Sequence, residues 1–307
     1  MAVASGVGVL AAGIGCAGAS SDGPAVNSGA NASTRGGAGT FVETRDGARL
    51  FHLDWGHGKP VVFLHAWALN ADLWEYQMTE LADRGLRAIA YDRRGHGRSS
   101  DPGRGYDFDR LADDLATVLD TLDLHEVTLV GHSMGSGEIA RYLTRHGGRR
   151  IARTVLVSAI TPLVARRPDY PQGTDPRAYE AIIAALKADR PAALTGGVGL
   201  FTGSRTVSPA MTQWLADQFL RSSASAVIGC MRAIAAADFR ADLRAFTMPT
   251  LIVHGDADLL NPIDLTGRPT ASAIPGSRLE IYAGGPHGLP LTDKERFTQE
   301  LFAFTRR

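Results

Sequence analysis

The sequence predicts an α/β protein: a mainly parallel sheet with helices on both faces and a helical cap inserted after a central strand. Three observations carry this expectation. From residue 41 onward, short runs rich in aliphatic and β-branched residues alternate with amphipathic segments of helical period. The alternation opens on an antiparallel hairpin signal at Asp46-Gly47. It is interrupted once, over about residues 161–245, by helical patterns with no convincing strand between them.

The elements follow in order. "FVETRDGARLFHLDWG" alternates around Asp46-Gly47 and supplies an antiparallel edge. The buried strands are then expected at Val61–Leu64, Arg87–Tyr91, Val127–Val130, Thr154–Val157, Thr250–His254 and Arg278–Tyr282. Between them, "DFDRLADDLATVLDTLDL" (107–124) sets apolar residues at helical spacing behind an acidic first turn, which suits the positive end of a helix. In the interrupting region, "DPRAYEAIIAALKADR" and "SPAMTQWLADQFLRSSASAVIGCMRAIAAADF" read as helices. A helical block at that point covers the carboxyl edge of the sheet, where open α/β sheets bind ligands. There is no internal repeat.

Residues 1–40 differ from this pattern. "MAVASGVGVLAAGIGCAG" is a small-residue apolar run with the length of a signal-peptide core, and the Gly/Ser/Asn/Ala-rich stretch after it reads as a flexible linker. No Lys or Arg precedes Arg35, so the basic start of a secretory signal is missing, and "GIGC" at Cys16 matches a lipoprotein cleavage box only weakly. Export and a cytoplasmic location both stay open. No later stretch is long and uncharged enough to span a bilayer. The 307-residue chain is 44% hydrophobic, enough for one large core or two modest ones, and its 32 basic residues equal its 32 acidic ones. That balance, without a block of like charge, gives no sign of a nucleic-acid partner. Two cysteines cannot make a disulfide framework; Cys230 reads as a buried structural thiol.

The chemistry starts from "LVGHSMGSGE", where Gly131-His132-Ser133-Met134-Gly135 fits G-x-S-x-G between the strand "VTLV" and a following helix. That setting places a serine on a strained strand-to-helix turn, with glycines keeping side chains out of the crowded elbow. A serine hydroxyl needs a base to take its proton, and nine histidines compete for the role. His132 should point sideways and pack or line the pocket; His52, His57, His125 and His146 lie in polar or edge segments and should be solvated. His96, in "YDRRGHGRSS", reads as structural, and His254 should hold the loop after its strand. His287 stands in a Gly/Pro-rich loop between the last strand and the final helix, on the sheet edge of Ser133, and is the expected general base. The orienting carboxylate should follow the preceding strand, where "LIVHGDADLLNP" offers Asp256 and Asp258. Asp258, deeper in the loop, is the preferred acid, and Asp256 a turn-stabilising residue. An ionised aspartate there would fix the imidazole tautomer and stabilise the imidazolium as it forms.

At these residues the chain resembles the α/β-hydrolase superfamily. "HAWALNADLWEYQM", "YDRRGHGRSS", "VGHSMGSGE", "VSAITPLVARRPDYPQG", "HGDAD" and "PHGL" together resemble its cofactor-free haloperoxidase, aryl-esterase and perhydrolase group, from about residue 41 to the C-terminus. The resemblance implies that the second aspartate of "HGDAD", Asp258, is the acid. It also implies an oxyanion hole made by the backbone N–H groups of Met134 and Trp67, with no cofactor. Members often form homo-oligomers. Two positions depart from the group. Ala66 replaces the usual glycine before the aromatic residue and restricts the backbone to conformations without a positive φ. Ala68 stands where peroxide-using members often carry proline, so the resemblance implies ester hydrolysis first, and implies that proline at 68 moves activity towards peroxide.

Three functions are therefore weighed. The first is a serine esterase acting on small or aryl esters, or lactones, through an acyl-serine intermediate. The second is a perhydrolase using hydrogen peroxide as acyl acceptor at the same site. The third is a non-catalytic binding protein on a hydrolase scaffold, which the intact Ser133, Asp258 and His287 argue against. Epoxide hydrolase and dehalogenase chemistry need a carboxylate where Ser133 stands, and no tight His/Cys cluster suggests a metal.

Overall fold

The structure, a computed structural model, describes residues 40–306. The expectations for the leading apolar segment, the linker and Cys16 fall outside the described residues.

The chain opens with strands β1 (Thr40–Glu43) and β2 (Arg49–Gly56), an antiparallel pair closed at Gly47, whose φ of 82° suits glycine. Then come β3 (Pro60–Leu64), α1 (Glu75–Asp83), β4 (Arg87–Tyr91), α2 (Phe108–Thr121), β5 (Val127–His132), α3 (Met134–His146) and β6 (Ile151–Val157). Each expected strand lies within or coincides with an observed one. Helix α2 starts at Asp107, whose side chain accepts the Arg110 N–H, and buries Leu111, Leu115, Val118 and Leu119 along one face.

Between β6 and the next strand lie α4 (Pro176–Ala188), α5 (Arg190–Thr195), α6 (Val198–Thr202), α7 (Pro209–Leu220) and α8 (Ala224–Ala236). The sequence signalled α4, α7 and α8. Helices α5 and α6 span six and five residues, too short for a periodic pattern to register. The chain closes with β7 (Thr250–Gly255), α9 (Gly267–Ala273), β8 (Arg278–Tyr282), α10 (Leu289–Thr292) and α11 (Lys294–Thr305).

The strands form one sheet in the order β1-β2-β4-β3-β5-β6-β7-β8, antiparallel for β1–β2 and β2–β4 and parallel elsewhere. Strand β4 lies on one side of β3 and β5 on the other, so the winding reverses at β3. A crevice must then open at the carboxyl ends of β3 and β5. Side-chain alternation along β3 sends Val61 and Phe63 to the core beneath α1 and α11, and Val62 and Leu64 to the core shared with α2 and α3.

One histidine corrects the sequence reading. His52, expected in solvent, is 3% exposed. It lies on β2 two residues after Leu50, so the strand period turns both side chains to the same buried face. His57, His125 and His146 are exposed, as expected.

Candidate active site

Strand β5 ends at His132 and α3 begins at Met134, so Ser133 makes the turn between them alone, at φ 54° and ψ −113°. Such a backbone costs on the order of 1–3 kcal/mol and persists only when its surroundings impose it. Here the Ser133 N–H donates to the Val157 carbonyl at 2.8 Å, and the Ser133 carbonyl accepts the Ser136 N–H at 3.0 Å and its hydroxyl at 2.6 Å. The flanking glycines are a packing requirement. A Cβ on Gly135 would sit 2.7 Å from the Leu64 carbonyl oxygen, and one on Gly131 would sit 2.6 Å from the Gly135 backbone.

The loops after β7 and β8 bring a carboxylate and an imidazole to the same sheet edge. His287 Nδ1 lies 2.8 Å from Asp258 Oδ2, and Asp258 Oδ1 accepts the N–H groups of Leu260 and Asn261, both at 2.9 Å. Burial by itself would raise the Asp258 pKa. The facing His287 and its hydrogen bond, with His254 close by, overcome that and hold the carboxyl well below the usual range. Asp258 therefore stays ionised at neutral pH. Asp256 points elsewhere and accepts the Gly284 N–H at 2.6 Å, tying the β7 loop to the β8 loop. His254 Nε2 donates to the Asn261 carbonyl at 2.8 Å and lies 3.5 Å from Asp258 Oδ2, holding the loop that carries the aspartate.

His132 is buried and packs, as expected, but also makes a contact that its neighbourhood in sequence did not signal. Its Nε2 donates to the backbone carbonyl of His287 at 2.9 Å. Burial, with His287 close by, pushes the His132 pKa down to about 3, so it serves as a neutral donor.

On the opposite side of Ser133, β3 ends at Leu64 and runs into His65, Ala66 and Trp67. His65 Nε2 accepts the Arg93 N–H at 3.0 Å, which leaves the ring proton on Nδ1, 2.8 Å from the Ala66 carbonyl oxygen. That carbonyl and the Trp67 N–H belong to one planar peptide unit and point opposite ways. The imidazole, with the Leu69 N–H that also donates to this carbonyl at 3.3 Å, therefore sets the direction of the Trp67 N–H. Among the described residues this N–H has no protein acceptor. Met134 is the first residue of α3, where an N–H has no intrahelical partner and the helix dipole favours negative charge. The Trp67 indole donates to the Val227 carbonyl of α8 at 2.9 Å, which holds its ring as a wall of the site.

Ala66 has no positive φ, in keeping with its side chain. The left-handed residue of the loop is Ala68, at φ 62°. Proline locks φ near −65°, so the proline that the resemblance associates with peroxide chemistry does not fit this loop as it stands.

Ser133, His287, Trp67 and Ala66 open onto one cavity of about 340 Å³. Its walls come largely from α4–α8, with Leu186, Leu194, Phe201 and Ile234 among them, and among the described residues no Asp, Glu, Lys or Arg lines it. Among the described residues no group of His, Cys, Asp and Glu is placed to hold a metal ion, and no helix is long and apolar enough to cross a membrane. Cys230 is fully buried in α8.

A serine elbow at the switch point of a mainly parallel sheet, sharing one cavity with an Asp-held imidazole, is the architecture of a hydrolase. Comparison with known proteins agrees. A model of the alpha/beta hydrolase fold matches residues 59–294, and the chain belongs to that family. It is 42% identical to a non-heme chloroperoxidase of Kitasatospora aureofaciens over 270 residues, covering 86% of this chain and 98% of the relative. It is 34% identical to a bifunctional esterase/perhydrolase of Acinetobacter calcoaceticus over 275 residues, covering 87% and 99%. Among solved structures, an esterase from Exiguobacterium antarcticum superposes with a TM-score of 0.85 at 34% identity, covering 88% of this chain and all of that one. The protein is an enzyme of the serine-hydrolase type, with esterases and non-haem haloperoxidases or perhydrolases among its relatives.

Proposed function

We propose that this enzyme cleaves small or aryl carboxylic esters, and lactones, through an acyl-serine intermediate, with Ser133 as nucleophile, His287 as general base and Asp258 as its orienting acid. The observation that carries the reading is the Asp258–His287 contact of 2.8 Å at a cavity shared with Ser133. In this mechanism the Ser133 hydroxyl attacks the ester carbonyl while His287 takes its proton. Negative charge gathers on the carbonyl oxygen and is met by the Trp67 and Met134 N–H groups; one such donor is worth on the order of 3 kcal/mol. His287 then protonates the leaving alcohol, activates water, and the acid departs. The uncharged walls suit neutral substrates, because a carboxylate entering them would lose hydration without a partner.

The test is turnover of p-nitrophenyl esters of rising acyl length, with a lactone panel, by the parent and Ser133→Ala. Loss of about a millionfold is expected if the three residues act as a unit. Near-full activity in the variant would remove the proposal.

A second reading is supported by the chloroperoxidase and perhydrolase relatives. Hydrogen peroxide would replace water in attacking the acyl-serine, releasing a peracid and free Ser133, and the peracid would oxidise bromide. Bromination with acetate and peroxide, no greater than in the Ser133→Ala control, rules it out.

A further inference from the structure

Behind the oxyanion loop lies a charged cluster with no access to solvent. Arg93 and Glu138 are 1% and 0% exposed. Arg93 Nε donates to Glu138 Oε1 at 2.7 Å, and Arg93 Nη2 reaches the same oxygen. The Tyr91 hydroxyl donates to Glu138 Oε2 at 3.2 Å. A buried pair of this kind is a poor source of stability, because its desolvation offsets most of its attraction. What it touches is more informative.

Besides the ion pair, Arg93 makes two hydrogen bonds to His65, and its Nη1 lies 3.2 Å from His65 Nδ1. Its Nη2 donates to the His65 carbonyl at 2.8 Å, and its backbone N–H donates to His65 Nε2 at 3.0 Å. His65 in turn holds the Ala66–Trp67 peptide through Nδ1. On the other side, Glu138 stands on α3 about one turn after Met134. The contacts thus run from the helix carrying one oxyanion donor, through Glu138, Arg93 and His65, to the peptide carrying the other.

We propose that the Arg93–Glu138 pair is a positioning strut that sets the separation and direction of the Trp67 and Met134 N–H groups. This rests on the serine-esterase reading. Neither residue touches substrate. The pair acts because hydrogen-bond donors in a water-excluded site lose effect steeply when displaced, and a shift of about 1 Å costs roughly a hundredfold in rate.

The test removes both charges together, as Arg93→Met with Glu138→Leu, so that no unpaired charge is left buried. The double variant is expected to melt cooperatively, to keep KM within about twofold for p-nitrophenyl acetate, and to lose about 10- to 100-fold in kcat. Its affinity for an alkyl boronic acid, which mimics the tetrahedral oxyanion, should weaken by the same factor as kcat/KM. A folded double variant with parental kcat overturns the strut while leaving the esterase reading intact. Near-full activity in Ser133→Ala overturns both. If the double variant does not fold, Arg93→Lys is measured instead. Lysine keeps the charge but lacks the fork that spans His65 and Glu138, so a tenfold or greater loss of kcat at unchanged KM is expected, and parental kcat again overturns the proposal.

Discussion

His132 Nε2 donates to the backbone carbonyl of His287 at 2.9 Å, so the residue before the elbow serine holds the loop that carries the imidazole. The two rings lie 5.0 Å apart, and His132 also meets Phe201 edge-on at 5.7 Å. Phenylalanine at 132 would keep this packing and delete the hydrogen bond. We expect His132→Phe to stay folded and to lose about tenfold in kcat, since a small displacement of the base is costly. Steady-state kinetics on p-nitrophenyl acetate read this directly, and parental kcat would count against it.

The two aspartates after β7 separate by experiment. Asp258→Asn should leave the fold intact and lower kcat by about 10⁴-fold, because an amide does not enforce the required imidazole tautomer. Asp256→Ala removes only the bond to the Gly284 N–H and should cost about 1 kcal/mol of stability with kcat nearly unchanged. Reversal of the two effects would assign the acid to Asp256.

Ala68 makes the oxyanion loop sensitive to one substitution. With φ at 62°, proline there requires the loop to refold or the chain to carry strain. Ala68→Pro is expected to lower the melting temperature and esterase kcat together. A gain in peroxide-dependent bromination at parental stability would show instead that the loop adopts a second conformation readily.

Buried histidines make stability depend on pH. Burial pushes His96 and His132 down to about 3, and pushes His65 well below its ordinary value with help from Arg93. The unfolded chain takes up these protons near pH 6.5 while the folded chain does not, so stability is full above that pH and falls as pH drops. The Asp258 carboxyl, depressed in the fold, adds a loss of the same sign below about pH 4. At pH 4.5 His96 and His132 each account for a loss on the order of 3 kcal/mol. Urea midpoints measured from pH 7.5 to 4.5 should fall continuously, and a flat profile would be inconsistent with neutral buried rings.

Local pattern determined much of this protein. The alternation of strand and helix, the elbow at Ser133 and the loops carrying Asp258 and His287 are legible because period and turn chemistry act over a few residues. Helices α5 and α6 were not, since each is shorter than two turns. His52 was misplaced because its polarity outweighed the strand period that buries it. Strand β3 shows the division most clearly. Its Val61–Leu64 run announces a buried strand, but the reason His65 follows it lies in residues distant along the chain. Arg93 follows 28 residues later, Glu138 another 45 beyond that, and His132 meets His287 across 155. Contacts of that separation leave no periodic trace in the sequence. Only the packed sheet edge decided that Ala68, rather than Ala66, carries the left-handed turn, and that a neutral histidine aims the Trp67 N–H.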